Sequence, residues 1–437
     1  MEFTEAGVFL FLLWCFATCS LVHITRDLAS PPLMYLAVLG FFWGEIFVTE
    51  QNTYIYALYV LSILIVCVSS LTLQLHSGSQ RTISLSYEAS KSSDSRNFSD
   101  SKLNTLTLWV VSIPALICIM YLIQMFGGLV GYLAAAQHGT KYFHGLGPLK
   151  VLISTLYPVS LFYFAVLIQK SRSRSQYLIF VIHLSLVLLL ALLSLSRGTL
   201  LTHFVFMGLI WHFGKRKLPI ALMAGSLITI LALASVYGVV RETFHYDGTS
   251  LELGIENQDK KFRAEWLSFG IFPLKRVLDA PSIDKRWGQT YTTAITNFVP
   301  RKIWPNKPDP GGVVFTNEYA PELYDKYSHY TTGIYPEAII NFGIPFGVIF
   351  GASQLSLLTV LFCYFYKSMK QKVRTLKDRS KAMMILVIYV YAVWGSALMI
   401  TGEFTSIVVS TAVKVAVIIL THYACKLSWR SKVKKTS

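Results

Sequence analysis

The sequence predicts an all-α polytopic membrane protein with about eleven transmembrane helices and one large external loop. The first observation is composition: 54% of the 437 residues are hydrophobic and 14% are charged, whereas soluble domains carry about 25% charged residues. The second is that apolar runs of about 20 residues, the length that crosses a bilayer as a helix, recur along the chain. The third is that clusters of basic residues lie in the segments between these runs.

Eleven apolar runs are candidate membrane spans. The first follows two acidic residues, with neither a basic region before it nor a small-residue cleavage site, so we predict a retained helix and not a signal peptide. The seventh is short, and the start of the ninth is poorly defined by hydropathy. The runs are 6–24, 31–48, 54–75, 105–126, 149–168, 177–195, 199–213, 218–237, 342–366, 382–400 and 404–425.

The basic residues determine the predicted orientation. If all eleven runs cross, every basic cluster lies on the same side, which the positive-inside rule makes cytoplasmic. The N-terminus is then outside and the C-terminus inside, and three regions follow: helices one to eight (1–239), an external loop (240–334), and helices nine to eleven with a basic tail (335–437). The clusters are Arg26, 170–174, 215–217, 367–381 and 426–435.

The charge of the external loop argues against a nucleic-acid partner. The loop contains twelve Lys or Arg and twelve Asp or Glu residues, so it has no net charge. The formal charge of +16 therefore comes from the cytoplasmic side of the predicted topology. The six cysteines lie in or beside the apolar runs, and neither a Cys/His metal spacing nor an Asp-x-Asp motif is present. We therefore predict no metal and no cofactor.

Several cations are candidates for binding an anionic group at the outer surface. Arg197 stands in "LLSLSRGTLL", between two apolar runs, where it either reaches lipid phosphate or faces an anionic ligand. A guanidinium matches phosphate oxygens bidentately, and prolines stiffen the backbone around the last three candidates. The predicted pyrophosphate-binding residues are Arg197, Arg241, Arg263, Arg276, Arg301, Lys302 and Lys307.

Glu337 is the main candidate for proton transfer. It follows Tyr335-Pro336 at the entrance of the ninth run, where a carboxylate abuts a hydrophobic helix. It is either a general base with a raised pKa, an ion-pair partner, or a charge at a helix N-terminus. His329 is the alternative base. His183 and His203 lie within apolar runs, and we predict that they are packed or hydrogen-bonded residues.

Three stretches of the chain resemble the O-antigen (Wzy-type) repeat-unit polymerases of bacterial inner membranes. They are "SRGTLL" at 196–201, "GQTYTTAITNFVPRKIWPNKPDPGG" at 288–312 and "TGIYPEAIINFGIPFG" at 332–347. The order of spans, large loop and basic tail is also similar. The resemblance implies a polytopic, metal-independent glycosyltransferase fold (GT-C-like), shared with O-antigen ligases, in the bacterial inner membrane with the large loop in the periplasm.

The resemblance also implies a substrate and partners. The substrates would be undecaprenyl-pyrophosphate-linked glycans, with membrane lipids, a chain-length regulator protein and the flippase as partners. The seven cations would hold the donor pyrophosphate, and Glu337 or His329 would accept the proton of the acceptor sugar. Tyr291, Trp304 and Tyr335 would contact the glycan.

Three other functions remain open on the sequence alone. An O-antigen ligase shares the donor chemistry and differs in its acceptor, lipid A core. A lipid-linked oligosaccharide flippase or transporter predicts charged residues along several mid-membrane spans, yet spans four to six carry almost none. If the chain were a non-enzymatic scaffold, the cations at the outer surface would have no functional reason to lie close together.

Overall fold

The computed structural model of the chain is almost entirely helical in the residues it describes. The exception is a short antiparallel pair of strands, β1 (Phe244–Tyr246) and β2 (Leu251–Leu253), in which Phe244 pairs with Leu253. The described residues are 3–49, 51–75, 101–137, 142–143, 146–169, 174–194, 197–223, 225–226, 229, 244–246, 251–253, 270–280, 284–299, 301–323 and 329–433.

Sixteen helices follow one another through the described ranges, together with two short 3-10 helices, Gly44–Phe47 and Pro321–Leu323. The helices are α1 (Glu5–Thr25), α2 (Pro31–Phe42), α3 (Thr53–Leu75), α4 (Ser101–Met125), α5 (Leu129–Gln137), α6 (Gly147–Ser154), α7 (Leu156–Leu167), α8 (Arg174–Leu193), α9 (Arg197–Gly214), α10 (Ile271–Asp279), α11 (Gln289–Thr296), α12 (Gly311–Glu318), α13 (Ile334–Phe342), α14 (Phe346–Thr375), α15 (Arg379–Leu398) and α16 (Phe404–Val433).

Eight helical stretches within the described residues are long and apolar enough to cross a membrane. They are α1, α3, α4, α6 together with α7, α8, α14, α15 and α16. Two shorter apolar helices, α2 and α9, accompany them. The predicted class, an α-helical polytopic membrane protein, is therefore confirmed. Most of the predicted eighth span, 218–237, lies outside the described residues.

Two of the predicted spans differ from the helices observed. The second run, 31–48, contains the 12-residue helix α2 and a 3-10 turn. A helix of 12 residues is about 18 Å long, short of the hydrocarbon core of about 30 Å. The ninth run, 342–366, is interrupted at Gly343, whose φ of 70° favours glycine, and α14 begins only at Phe346. Glu337 consequently lies on a separate short helix, α13.

The chain forms two compact units that differ from the three predicted regions. The first unit comprises Met1–Lys91, Lys260–Ser368 and Ala392–Ala412, and the second comprises Ser92–Asp259, Met369–Tyr391 and Val413–Ser437. The predicted external loop, 240–334, is therefore divided between the units. Its helix α10 packs against the N-terminal helix α3 and against α13.

Aromatic side chains form the core of the first unit. Trp43, Tyr35, Tyr59 and Tyr335 are fully buried. The ring of Trp43 lies 6.1 Å from that of Tyr59 and 6.2 Å from that of Tyr335. The Tyr335 hydroxyl is 2.9 Å from Ser62 Oγ. These contacts attach α13, which carries Glu337, to α3 and so determine its position in the unit.

The core of the second unit contains the two histidines predicted to be packed or hydrogen-bonded. His183 Nε2 lies 3.0 Å from Ser112 Oγ, and His203 Nε2 lies 3.5 Å from Ser160 Oγ. Both histidines are buried, which confirms that prediction.

Between α4 and α5 the chain turns through Gly127 and Gly128, whose φ angles of 79° and 108° require residues without a Cβ.

The packing of Gly7 gives a test of the helix arrangement in the first unit. A Cβ at Gly7, in the first turn of α1, would overlap the backbone of Phe47, which cannot rotate away. We expect Gly7→Ala to cost about 1–3 kcal/mol of stability through overpacking. Gly208→Ala in α9 is the matched control, because a Cβ there meets no atom within 4 Å and alanine favours the helix.

The measurement is the unfolding temperature of each purified variant in the same detergent. We expect Gly7→Ala to unfold at a lower temperature than the unchanged protein and Gly208→Ala to unfold at the same temperature or a higher one. Equal unfolding temperatures for both variants would contradict the close approach of α1 to Phe47.

Candidate functional site

Two buried carboxylates, Glu337 and Glu403, lie at the centre of the candidate site in the first unit. Each is only 1% exposed, although charged side chains are rarely buried unless they are paired. Glu337 is in the first turn of α13, and Glu403 immediately precedes α16. The first turns of α11 and α12 complete the site.

Glu337 accepts three hydrogen bonds from three separate parts of the chain. Thr290 Oγ1, on α11, donates to Oε1 over 2.9 Å. Thr332 Oγ1 and the backbone N–H of Phe404 donate to Oε2 over 3.3 Å and 3.0 Å. The carboxylate therefore connects α11, α13 and α16.

The protonation of Glu337 reflects two opposing effects. Burial has the largest effect on its carboxyl group and raises the pKa, whereas the hydrogen bond from the Phe404 N–H lowers it. The resulting pKa is about 7, compared with the ordinary value of 4.5. The nearby Glu403 carboxylate also raises this pKa, whereas the hydroxyls of Thr290 and Thr332 lower it. A carboxyl group with a pKa near neutrality can both take up and release a proton at physiological pH.

Asn341 fixes the orientation of the Thr290 hydroxyl group. Its Nδ2 donates to Thr290 Oγ1 and to the backbone oxygen of Glu337, in each case over 2.7 Å. Because Thr290 Oγ1 accepts this bond, its own hydrogen is directed to Glu337. Asn341 is fully buried and lies one helical turn from Glu337 on α13. Helix α13 therefore carries both the carboxylate and the amide that orients Thr290, the donor to that carboxylate.

Glu403 forms a pair with His329, the other predicted base. Its Oε2 lies 3.7 Å from His329 Nε2 and accepts a hydrogen bond of 3.0 Å from Ser406 Oγ. Its Oε1 has no hydrogen-bond partner among the described residues. The His329 side chain is 41% exposed, so the pair consists of a buried carboxylate behind an accessible imidazole.

Two glycines bring α12 against both carboxylates. A Cβ at Gly311 would lie 2.7 Å from Glu337 Oε1, and a Cβ at Gly312 would lie 2.6 Å from the Tyr330 oxygen and 3.2 Å from Glu403 Oε2. Residues with side chains would displace these groups. The first N–H groups of a helix have no partner within it and carry partial positive charge. The "PDPGG" stretch thus allows the positive end of α12 to approach the two acids.

Arg301 and Lys307, two of the predicted pyrophosphate-binding residues, stabilise the proline-rich loop. Arg301 donates to the backbone oxygens of Pro305 and Lys307 over 3.2 Å and 3.4 Å, and its guanidinium pairs with Asp309. Lys307 Nζ donates to the Val299 oxygen over 3.0 Å. Lys302 is exposed. These cations are at the surface of the first unit, where a ligand has access to them.

The other predicted cations are more widely distributed. Arg276, on α10, pairs with Glu322 and lies 5.4 Å from the centre of the Phe272 ring. Arg197 is the first residue of α9, in the second unit. Arg241 and Arg263 lie outside the described residues. In the part of the chain that is described, Arg276 and Arg301 each have an acidic partner of their own.

The three predicted glycan contacts have different environments. Tyr335 is fully buried in the aromatic core, which contradicts its predicted role because its ring presents no surface to a sugar. The Tyr291 ring packs 5.1 Å from that of Phe404 and 5.5 Å from that of Phe350, and its hydroxyl oxygen is buried. Trp304 is 43% exposed and is accessible to a ligand.

Glu403 is the residue of the site that sequence reasoning missed. The sequence feature that pointed to it is its position: it is an acid in the short turn between the tenth and eleventh apolar runs. That turn lies on the same predicted side of the membrane as Glu337. The proximity of the two acids depends on the packing of α13 against the start of α16. The periodicity of a single helix does not predict such packing.

The arrangement suits proton transfer beside a group that develops negative charge. It combines a carboxyl group with a pKa near neutrality, an accessible imidazole backed by a carboxylate, and a helix N-terminus. No group of three or more His, Cys, Asp or Glu residues that could hold a metal ion occurs within the described ranges. Neither a protein-family model, nor a curated protein, nor a solved structure matches this chain.

Proposed function

We propose that the chain is a metal-independent glycosyltransferase that polymerises undecaprenyl-pyrophosphate-linked oligosaccharide repeat units at the periplasmic face of the bacterial inner membrane. The observation that carries the proposal is Glu337, a buried carboxyl group with a pKa of about 7. It contacts the first turn of α12. Two of the stretches that resemble O-antigen polymerases, 288–312 and 332–347, supply Glu337, Thr290 and Gly311 of this site.

The proposed reaction is a substitution at the anomeric carbon of the growing chain. A hydroxyl oxygen of the acceptor sugar forms the new bond to that carbon, and the bond from the carbon to the undecaprenyl pyrophosphate oxygen breaks. Glu337 takes the proton of the attacking hydroxyl. The leaving pyrophosphate carries away the electron pair, and cations that bind it offset its developing charge.

Glu337 must exchange one of its present hydrogen bonds for the acceptor hydroxyl, because its side chain is buried. The bond from Thr332 Oγ1, at 3.3 Å, is the longest of the three that the carboxylate accepts. We therefore assign Thr332 as the donor that the acceptor hydroxyl replaces. Thr290, held by Asn341, stays in place and orients the carboxylate.

The pair of His329 and Glu403 is the second candidate base. Its accessible imidazole needs no displacement to reach a substrate, and Glu403 can stabilise the imidazolium that forms after proton uptake. Substitutions at Glu337 and at Glu403 distinguish the two candidates. Donor binding in this proposal falls to Arg197, Arg241, Arg263, Arg301, Lys302 and Lys307. Arg276, which pairs with Glu322 beside α10, is not part of it.

The lipopolysaccharide pattern of a deletion strain tests the proposed function. We expect molecules that carry a single repeat unit on lipid A core, because ligation continues when polymerisation stops. Restoration of the full ladder by the intact gene on a plasmid is the control. Loss of every repeat unit would instead favour the ligase or the flippase, and an unchanged ladder would reject all three.

The orientation of the chain can be tested separately with topology reporters. We expect fusions after Ser92, Lys215 and Lys372 to report the cytoplasm and a fusion after Asp284 to report the periplasm, because basic loops remain inside. Reporter activity relative to fusion abundance is the measurement. A periplasmic signal at Lys372 would be incompatible with the predicted number of crossings.

A further inference from the structure

A cavity of about 540 Å³ lies on the first unit, between α10 and the C-terminal end of α12. Phe272, Lys275, Arg276 and Asp279 line it from α10, and their spacing places them on one face of that helix. Glu318 and Tyr319 line the opposite side. This cavity contains neither Glu337 nor Glu403, so it is distinct from the carboxylate site.

We propose that this cavity binds a neutral sugar residue of an oligosaccharide. Sugar rings have apolar C–H faces and polar edges, and the cavity offers both kinds of complement. The rings of Phe272 and Tyr319 supply apolar surface, and four charged side chains supply hydrogen-bond donors and acceptors.

The aromatic surfaces are held in place before a ligand binds. The Tyr319 ring stacks on Phe315 with centroids 6.1 Å apart and planes within 8°. The Phe272 ring lies 6.3 Å from Phe315 and 5.0 Å from Tyr330. Phe315 itself is fully buried. Ordering of these rings on binding therefore costs little conformational entropy.

Asp279 is an exposed acceptor in the cavity that the described residues leave free. It has neither an ion pair nor a side-chain hydrogen bond within the described residues. It ends α10, although a negative charge at a helix C-terminus is unfavourable. A carboxylate has two oxygens that accept hydrogen bonds, so it can accept from adjacent sugar hydroxyls.

The charge balance of the cavity favours a neutral ligand over an anionic one. Lys275 and Arg276 share the cavity with two acids, Asp279 and Glu318, and Glu318 also pairs with Arg286. Both cations also have partners: Lys275 Nζ lies 3.1 Å from Glu45 Oε1, and Arg276 pairs with Glu322. A phosphate or an anionic lipid headgroup would therefore meet no excess of positive charge.

Helix α12 connects the cavity to the carboxylate site. Its first residue, Gly311, packs against Glu337 and its last residue, Glu318, lines the cavity. The two ends of the helix are about 10 Å apart. If the chain acts as we propose, the cavity holds a sugar remote from the reacting hydroxyl, a role that rests on the proposed function.

Binding of a free oligosaccharide to the purified full-length protein in detergent tests the inference. The probe is the oligosaccharide released by mild acid from the lipid-linked repeat units of the host strain, with inorganic pyrophosphate as the anionic comparator. Saturation-transfer difference NMR reports the binding of the oligosaccharide and phosphorus NMR that of pyrophosphate. The variants are Asp279→Asn and Tyr319→Leu.

Each variant has a matched control elsewhere on the same unit. Asp284→Asn changes another exposed aspartate, and Phe298→Leu removes an aromatic ring that is 66% exposed. We expect the two cavity variants to bind the oligosaccharide about tenfold more weakly and the controls to bind as the unchanged protein does. Asp279→Asn alters a surface residue, so it remains informative if Tyr319→Leu fails to fold.

Three results would overturn the inference. The first is that Asp279→Asn and Tyr319→Leu bind the oligosaccharide as well as the unchanged protein does, and the second is that the unchanged protein does not bind it. The third is that the cavity variants bind pyrophosphate more weakly but bind the oligosaccharide normally. Failure of the proposed function gives a different pattern. In that case the deletion strain either keeps its ladder or loses every repeat unit, whereas the cavity variants still lose oligosaccharide binding.

Discussion

Glu337→Gln is expected to stop polymer formation while binding of the lipid-linked donor continues. The amide keeps the size of the side chain but cannot accept the proton of the acceptor hydroxyl. Loss of a general base lowers a rate by about a hundredfold to ten-thousandfold. The measurement is polymer formed from purified lipid-linked repeat units, with donor binding measured in parallel at equal protein concentration.

The control for Glu337→Gln is Thr332→Val. It removes the hydroxyl that we expect the acceptor to replace and leaves the carboxyl group intact, so polymerisation should continue. If Glu337→Gln polymerises at the normal rate, Glu337 is structural and the base lies elsewhere. His329→Gln and Glu403→Gln then identify it, since loss of activity in both would assign the role to that pair.

The pH profile provides a second test of Glu337. Because the deprotonated carboxylate is the active form, the rate should rise with pH through the pKa of Glu337, about 7, and level off above it. The residual activity of Glu337→Gln should lack this rise. A rise centred instead near 4.5, the ordinary value for glutamate, would contradict a buried base.

The same pKa predicts how stability changes with pH. Folding raises the pKa of Glu337 from 4.5 to about 7, so the folded protein binds this proton more tightly than the unfolded chain does. The resulting stabilisation is complete below 4.5 and is lost as the pH rises through about 7. At about 1.4 kcal/mol per pH unit, the difference amounts to about 3 kcal/mol.

Unfolding temperatures of the purified protein and of Glu337→Gln measure this difference. Between about pH 5 and about pH 8, the unchanged protein should lose more stability than the variant, since other groups titrate alike in both. If the unchanged protein instead gains stability relative to the variant as the pH rises, the pKa of Glu337 is lowered by folding and the assignment of the base fails.

Arg301→Ala is expected to abolish chain growth, with poor rescue by Arg301→Lys, because an ammonium group cannot form the bidentate contact of a guanidinium with phosphate. A donor contact that strengthens as charge develops is worth about 2.7–4 kcal/mol, or about a hundredfold or more in rate. Arg197→Ala should behave in the same way. Donor binding and polymer length, at equal membrane abundance, are the measurements.

Asp309→Asn separates a binding role of Arg301 from a structural one. The pair of Arg301 and Asp309 is about half exposed, and such pairs contribute about 0–1 kcal/mol to stability. If Arg301 binds pyrophosphate, Asp309→Asn keeps the cation and frees it, so donor binding should be retained or strengthened. If Arg301 only closes the proline-rich loop, Asp309→Asn should reduce polymerisation as Arg301→Ala does.

Several features of this protein follow from its sequence. Long apolar runs determine the helical membrane class, because an unsatisfied backbone in lipid is costly and helices satisfy it internally. His183 and His203 could be predicted as interior residues because they stand within such runs. Glu337 could be selected as a candidate because a carboxylate beside an apolar helix is expensive wherever that helix lies.

Other features were decided only by the tertiary structure. Hydropathy does not show where a helix ends, so the run 31–48 was predicted as one continuous helix although α2 has only 12 residues and a 3-10 turn follows it. Tyr335 was predicted to meet a glycan, yet it packs between Trp43 and Ser62. Glu337 and Glu403 pack against adjacent glycines, Gly311 and Gly312, although 66 residues separate the two acids. Contacts of this kind arise from the packing of distant helices, whereas sequence patterns encode the periodicity of one helix at a time.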